Sequence, residues 1–180
     1  MITNNKKARK AKRLVIQLQT RYGEGHPKQG EDAGFARAIT SGKKIHFIHP
    51  GNEEIIKLYD KLAARRPGKR TAALQVTYID EQGKEILHRD FIRIQKITIC
   101  YDPQHFKQYE MLKKERLESK KPLVPLCCVE VDGREIPDAD NVSDNSGLSR
   151  QDFNDWFFKD RAAPDYFEGY VLQFTKTFNY

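Results

Sequence analysis

Between Gly30 and His49 the hydrophobic period switches from helical to extended within a few residues, and any fold of this chain must turn around the glycine that separates them. Ala33, Phe35, Ala36 and Ile39 make an apolar stripe at helical spacing. Glu31 and Asp32 place negative charge where the first helical turn is expected. Gly42 suits the left-handed residue that closes a helix, so Lys43 and Lys44 emerge at the helix exit. Beyond them Ile45, Phe47 and His49 alternate with Lys44, His46 and Ile48, as on the two faces of a strand. Lys44 and His46 then project together, about 7 Å apart along one strand face.

The rest of the chain reads as further strands and helices. Residues 14–20 alternate as a strand, and Gly23, Gly25 and Pro27 punctuate a loop after it. Asn52 caps a helix that runs to Arg66 and ends at Pro67 and Gly68. Residues 71–79 and 85–91 form two strands joined by a glycine turn, and residues 92–101 a third. Residues 104–121 carry a thin apolar stripe expected of a surface helix, and residues 123–131 another strand. The acidic stretch 136–147 lacks periodicity and reads as an exposed loop. Ser149 opens a helix with Leu148 and Phe153 stapled across its cap, and Phe153, Trp156 and Phe157 are expected to anchor that helix to the core. Residues 170–180 alternate as a closing strand.

Six or seven strands with three or four inserted helices define an α+β domain over residues 14–180. Residues 1–13, with six Lys and Arg, no acid and little apolar surface, read as a disordered basic arm. The formal net charge of +7 conceals a polarity along the chain. Residues 1–121 hold 27 Lys and Arg against 14 Asp and Glu, whereas residues 130–168 hold 4 against 11. That division fits a nucleic-acid-facing surface with a repelling back, and equally two faces that attract each other. Three cysteines, two of them adjacent, make no disulfide framework, and no ligand spacing points to a metal or other cofactor. With no long apolar run, the chain is expected to be cytoplasmic.

The helix, Gly42, Lys44 and the following strand resemble the ASCH domains of the PUA-like superfamily, whose signature is a helix followed by Gly-x-Lys-x-x-Thr-x-Arg on a strand. Gly42 and Lys44 occupy the glycine and lysine positions. Phe47 stands at the threonine position and His49 at the arginine position. Gly25, His26 and Pro27, the strand of Ile94, Gln95 and Lys96, the helix start at residues 146–149 and the aromatic last strand are similar to ASCH-like proteins of phages and prophages. The resemblance implies a small curled β-barrel and a ligand cleft beside the Gly-x-Lys strand, centred on Lys44.

The ligand-binding residues expected on this reading are Gly42, Lys43, Lys44, His46 and Tyr22, with Tyr22 or Phe47 stacking a base. Lys10, Lys12, Arg13, Arg65, Arg66, Lys69 and Arg70 would contact a nucleic-acid backbone, where Lys and Arg gain by displacing condensed counterions. The expected function is binding of RNA or a nucleotide without catalysis. Two other readings stay open. One is a phage or mobile-element accessory protein that binds a host protein or sequesters a nucleotide. The other is an ASCH-type hydrolase, either an amidohydrolase or a ribonuclease. Hydrolases of the resembling family use the motif's lysine and threonine with a glutamate elsewhere, and Phe47 supplies no hydroxyl. Thr40 or Ser41 near Lys44, or Glu24, Glu31 and Asp32 with His26 or His46, are the available substitutes.

Overall fold

The computed structural model describes residues 13–64, 71–102, 129–136, 139–158, 164–176 and 180. The expected helix at 104–121, the residues 123–128 and most of the basic arm lie outside these. Among the described residues the fold is α+β: one seven-stranded sheet and four helices. In chain order these are β1 (Arg13–Gln17), α1 (Phe35–Thr40), β2 (His46–His49), α2 (Glu53–Ala63), β3 (Thr71–Ile79), β4 (Glu85–Tyr101), β5 (Val129–Val131), β6 (Arg134–Glu135), α3 (Ala139–Asn145), α4 (Arg150–Phe157) and β7 (Asp165–Gln173).

β4 is the spine. The sequence suggests two strands here, but no turn residue separates Phe91 from Ile92, and the extended backbone runs through 17 residues. Its first half pairs with β3, and its second half pairs with β7 and β5. β1 lies parallel to β3, with Leu14 opposite Val76 and Ile16 opposite Tyr78. The parallel pairing requires a long crossover, which the segment containing α1, β2 and α2 supplies. Among the described residues β2 pairs only with β7. Among the described residues no pairing joins β1 to β2, so a seam remains between two strand edges. The core is built on Ile92, Ile94, Ile97 and Ile99 of β4, with Leu14, Ile16, Tyr78, Phe153 and Leu172 packed around them.

Three segments depart from the sequence reading. α1 starts at Phe35, not at Glu31, because the Asp32 carboxylate accepts the Gly34 N–H (2.8 Å) and Gly34 takes a left-handed φ of 71°. Glu31 and Asp32 therefore lie before the helix. Residues 136–147 are not simply an exposed loop: α3 occupies seven of them and buries Val142 and Ser143. Val142 is the only large apolar residue of α3 and gave no periodic signal, and Ser143 and Ser146 satisfy their hydroxyls on the carbonyls of Asp140 and Ser143. The last strand ends at Gln173 rather than continuing to Tyr180. Where local chemistry dominates, expectation and structure agree. Asn52 Oδ1 accepts from Ile55 N–H (2.9 Å) to cap α2, Ser149 caps α4, and Gly42 closes α1 with a φ of 75°. No helix among the described residues is long and apolar enough to cross a membrane.

Candidate functional site

The turn at Gly42 sends the chain back along α1, with Lys44 N–H donating to the Ala38 carbonyl (3.0 Å) and Ile45 N–H to that of Asn145 (3.0 Å). The Lys44 side chain is thereby drawn inward and is only 3% exposed. Its Nζ donates to the Ser146 carbonyl and lies 3.6 Å from the centroid of the Phe35 ring and 5.2 Å from that of Phe47. Gly147 makes room for it, since a Cβ there would stand 3.2 Å from the Lys44 Cβ. Burial pushes the Lys44 amine well below its ordinary pKa, and no carboxylate offsets the effect.

His46 is fully buried beside it. Tyr180 Oη is 3.0 Å from His46 Nδ1 and accepts from the Asn145 amide (3.2 Å). His46 Nε2 finds no hydrogen-bond partner among the described residues. Burial, and then the neighbouring Lys44, depress the His46 pKa strongly. The fold thus brings Lys44 and His46 together, but inside the protein and not on an open cleft.

The other expected ligand residues do not join them. Lys43 and Gly42 are exposed on the turn. Tyr22 is buried, stacked on His26 (4.1 Å between centroids) and edge-on to Trp156 (5.6 Å), so its faces are not free to stack a base. Arg13 is exposed, with Nη2 donating to Thr77 Oγ1 (3.3 Å). Lys10, Lys12, Arg65, Arg66, Lys69 and Arg70 lie outside the described residues.

An open groove of about 600 Å³ runs along the seam between β1 and β2. Side chains alternate across a strand, so a groove against one face meets every second residue. Here the consecutive residues 15–19 and 47–50 line it, which means that the backbone edges of both strands, unpaired among the described residues, face into it. Trp156 and Phe157 of α4 and Phe167 of β7 form its aromatic wall. These two α4 aromatics are only half-buried, so Phe153 alone of the three expected anchors is fully in the core. Behind the wall is a small cavity lined by Lys44 and Ser146, which shares Phe47, Ile48, Trp156 and Phe157 with the groove. One aromatic layer therefore separates the buried lysine from open space.

Two polar side chains of the groove carry its chemistry. His49 Nδ1 accepts the Gly51 N–H (2.8 Å), which fixes the neutral imidazole's proton on Nε2 as a donor. Burial lowers the His49 pKa, favouring that neutral form. Glu81 accepts from the backbone N–H groups of Thr20 and Arg21 and from the Thr20 hydroxyl. Burial pushes its carboxyl up, but these bonds outweigh it and hold the group below the usual range. Among the described residues no Lys or Arg lines the groove. Sequence reasoning missed this site: His49 registered as a strand residue and a departure from the arginine of a motif, and Trp156 and Phe157 as core in preference to an interaction patch.

The chain matches no family model, no curated protein and no solved structure. What the site defines is its chemistry: an aromatic-walled groove at a sheet seam, without a cation among its described lining residues and backed by a desolvated lysine.

Proposed function

We propose that the chain is a cytoplasmic, non-enzymatic ASCH-like domain of the PUA-like type that binds RNA or a nucleotide. On this reading the sheet is a small barrel curled about β4 and left open at the β1–β2 seam. The observation that carries the reading is the groove itself, where aromatic rings and unpaired strand edges meet in front of Lys44. Base–aromatic stacking contributes about 1–3 kcal/mol per base, and single-stranded RNA presents bases free to enter such a site. The left-handed Gly42 followed by an inward Lys44 supports the family resemblance.

Binding is favoured over hydrolysis by the surroundings of Lys44. Phe47 packs where the motif has a hydroxyl, and the substitutes Thr40 and Ser41 donate their hydroxyls to the carbonyls of Ala36 and Ala38 on an exposed helix end. A second reading, an accessory protein that captures an extended peptide, draws on the same unpaired strand edges, which offer backbone groups to a partner strand.

Fluorescence anisotropy with single-stranded RNA, single-stranded DNA and duplex DNA across a salt series tests the proposal, using the full chain and one lacking residues 1–12. Trp156→Ala is expected to weaken RNA binding about tenfold to hundredfold through lost stacking. RNA binding that is indifferent to Trp156→Ala and vanishes with the arm would refute it.

A further inference from the structure

The groove has no cation among its described lining residues, and this bears on which part of a nucleotide those residues take. Phosphate is held by Lys, Arg or backbone N–H groups at helix N-termini, and affinity gained that way falls as salt rises. The one charged side chain among the described lining residues is Glu81, a carboxylate already ionised and bonded to Thr20 and Arg21. A phosphate would meet only repulsion from it. The remaining described lining is aromatic and apolar, apart from β-strand edges, Gln17 and Gln19, whose Nε2 groups donate to the carbonyls of Asp80 and Arg21, Asn52, whose Oδ1 is committed to the α2 cap, and His49. Among the described residues the His49 Nε2–H has no protein acceptor, while its Nδ1 is committed to Gly51. The groove volume of about 600 Å³ falls in the range of small-molecule sites, roughly 300–1,000 Å³.

We infer that the groove takes the uncharged base of a nucleoside unit, stacked on the Trp156 wall and oriented by a hydrogen bond from His49 Nε2–H to an acceptor on the base, with the phosphate left in solvent. This rests on the nucleotide-binding reading above and narrows it. His49 becomes the residue that sets which base is accepted, because the hydrogen bond requires an acceptor at a fixed place on the heterocycle, whereas stacking tolerates any base. Lys44 lies behind the aromatic layer and contacts no phosphate.

Calorimetric titration of the full chain with the four ribonucleosides and their 5′-monophosphates, at low and high salt, tests this directly. At least one nucleoside should bind, with its monophosphate within about threefold in affinity and little change with salt. His49→Asn keeps an acceptor near the Nδ1 position for the Gly51 N–H but removes the Nε2 donor, and His49→Gln restores an amide N–H near the Nε2 position. The first should weaken binding about tenfold and the second recover most of it. In the unsubstituted protein, the His49 Nε2–H proton resonance should shift when nucleoside is added, a readout independent of how either variant folds. A monophosphate tenfold tighter than its nucleoside, with affinity lost at high salt, overturns the inference while leaving nucleotide binding intact. So does RNA binding that Trp156→Ala abolishes in the absence of any nucleoside binding, or an unmoved His49 resonance. RNA binding untouched by Trp156→Ala overturns the inference, and where that binding also vanishes with residues 1–12 it overturns the reading beneath it.

Discussion

Replacing Lys44 with Met should alter the pH dependence of stability in a way few single substitutions do. Above the ordinary lysine value of 10.5 the amine is neutral in both states. Below it the unfolded chain takes up a proton that the folded protein, with Nζ buried against Phe35, resists binding. The unfolded state then holds more protons, so folded stability rises with pH until 10.5 and is lost as pH falls toward the depressed folded value. One such proton amounts to about 1.4 kcal/mol per pH unit. With a urea m-value of about 2 kcal/mol/M, the unfolding midpoint should move by about 0.7 M per pH unit from this group alone. Met keeps the stem's packing and carries no proton, although it leaves the Ser146 carbonyl without its donor at a cost of about 1–3 kcal/mol. Urea unfolding at pH 8.5 and 9.5 should therefore show the Met variant losing ground to the parent as pH rises. Tyr78 and Tyr180, whose burial raises their pKa values, titrate alike in both proteins and cancel in the comparison. Parallel pH profiles for the two proteins would show that Lys44 is not desolvated as described.

Two further substitutions probe how the groove is held. Gly169→Ala places a Cβ 2.7 Å from the His49 carbonyl and 2.6 Å from the Phe167 ring, so β7 and β2 must separate; a loss of about 1–3 kcal/mol in urea unfolding is expected, and an unchanged midpoint would contradict the close approach. Ser149→Ala removes the hydroxyl that accepts the Asp152 N–H (3.1 Å) at the start of α4 and should cost about 1 kcal/mol, read as a fall of roughly 2–4 °C in Tm.

The features legible in the sequence are those whose cause lies within a few residues. Asn52 and Ser149 carry their caps with them, Gly42 carries its backbone conformation, and the Asp80 side chain holds its own turn by accepting the Gln82 and Lys84 N–H groups. What the sequence hid depends on partners far along the chain. Lys44 read as the cation of an open ligand cleft because nothing nearby in sequence says that the Ser146 carbonyl, 102 residues on, will receive its amine. The groove was hidden for a related reason. It exists because β1 pairs with β3 and β2 with β7, leaving two edges opposed, and pairing choices of that kind leave no mark on the periodicity of either strand.

The charge polarity shows how one sequence signal can serve a local purpose. Of the two readings it allowed, attraction between the segments accounts for specific contacts: Lys28 Nζ lies 2.8 Å from the Asp152 carboxylate, and Lys96 Nζ 3.0 Å from that of Glu168. Lys96 and Glu168 are about half exposed, and a pair of that kind contributes only about 0–1 kcal/mol. The Lys28 pair differs in where it acts. Asp152 sits in the first turn of α4, where a carboxylate also favours the helix N-terminus, and it accepts from both Ser149 and Lys28. The same loop presents Tyr22, stacked on His26, to the edge of Trp156 one turn further along that helix. Lys28 and Tyr22 of this loop, meeting Asp152 and Trp156, thus orient α4, and with it the ring that walls the groove. In this part of the molecule the acidic segment positions the proposed stacking surface instead of repelling a ligand from the far side.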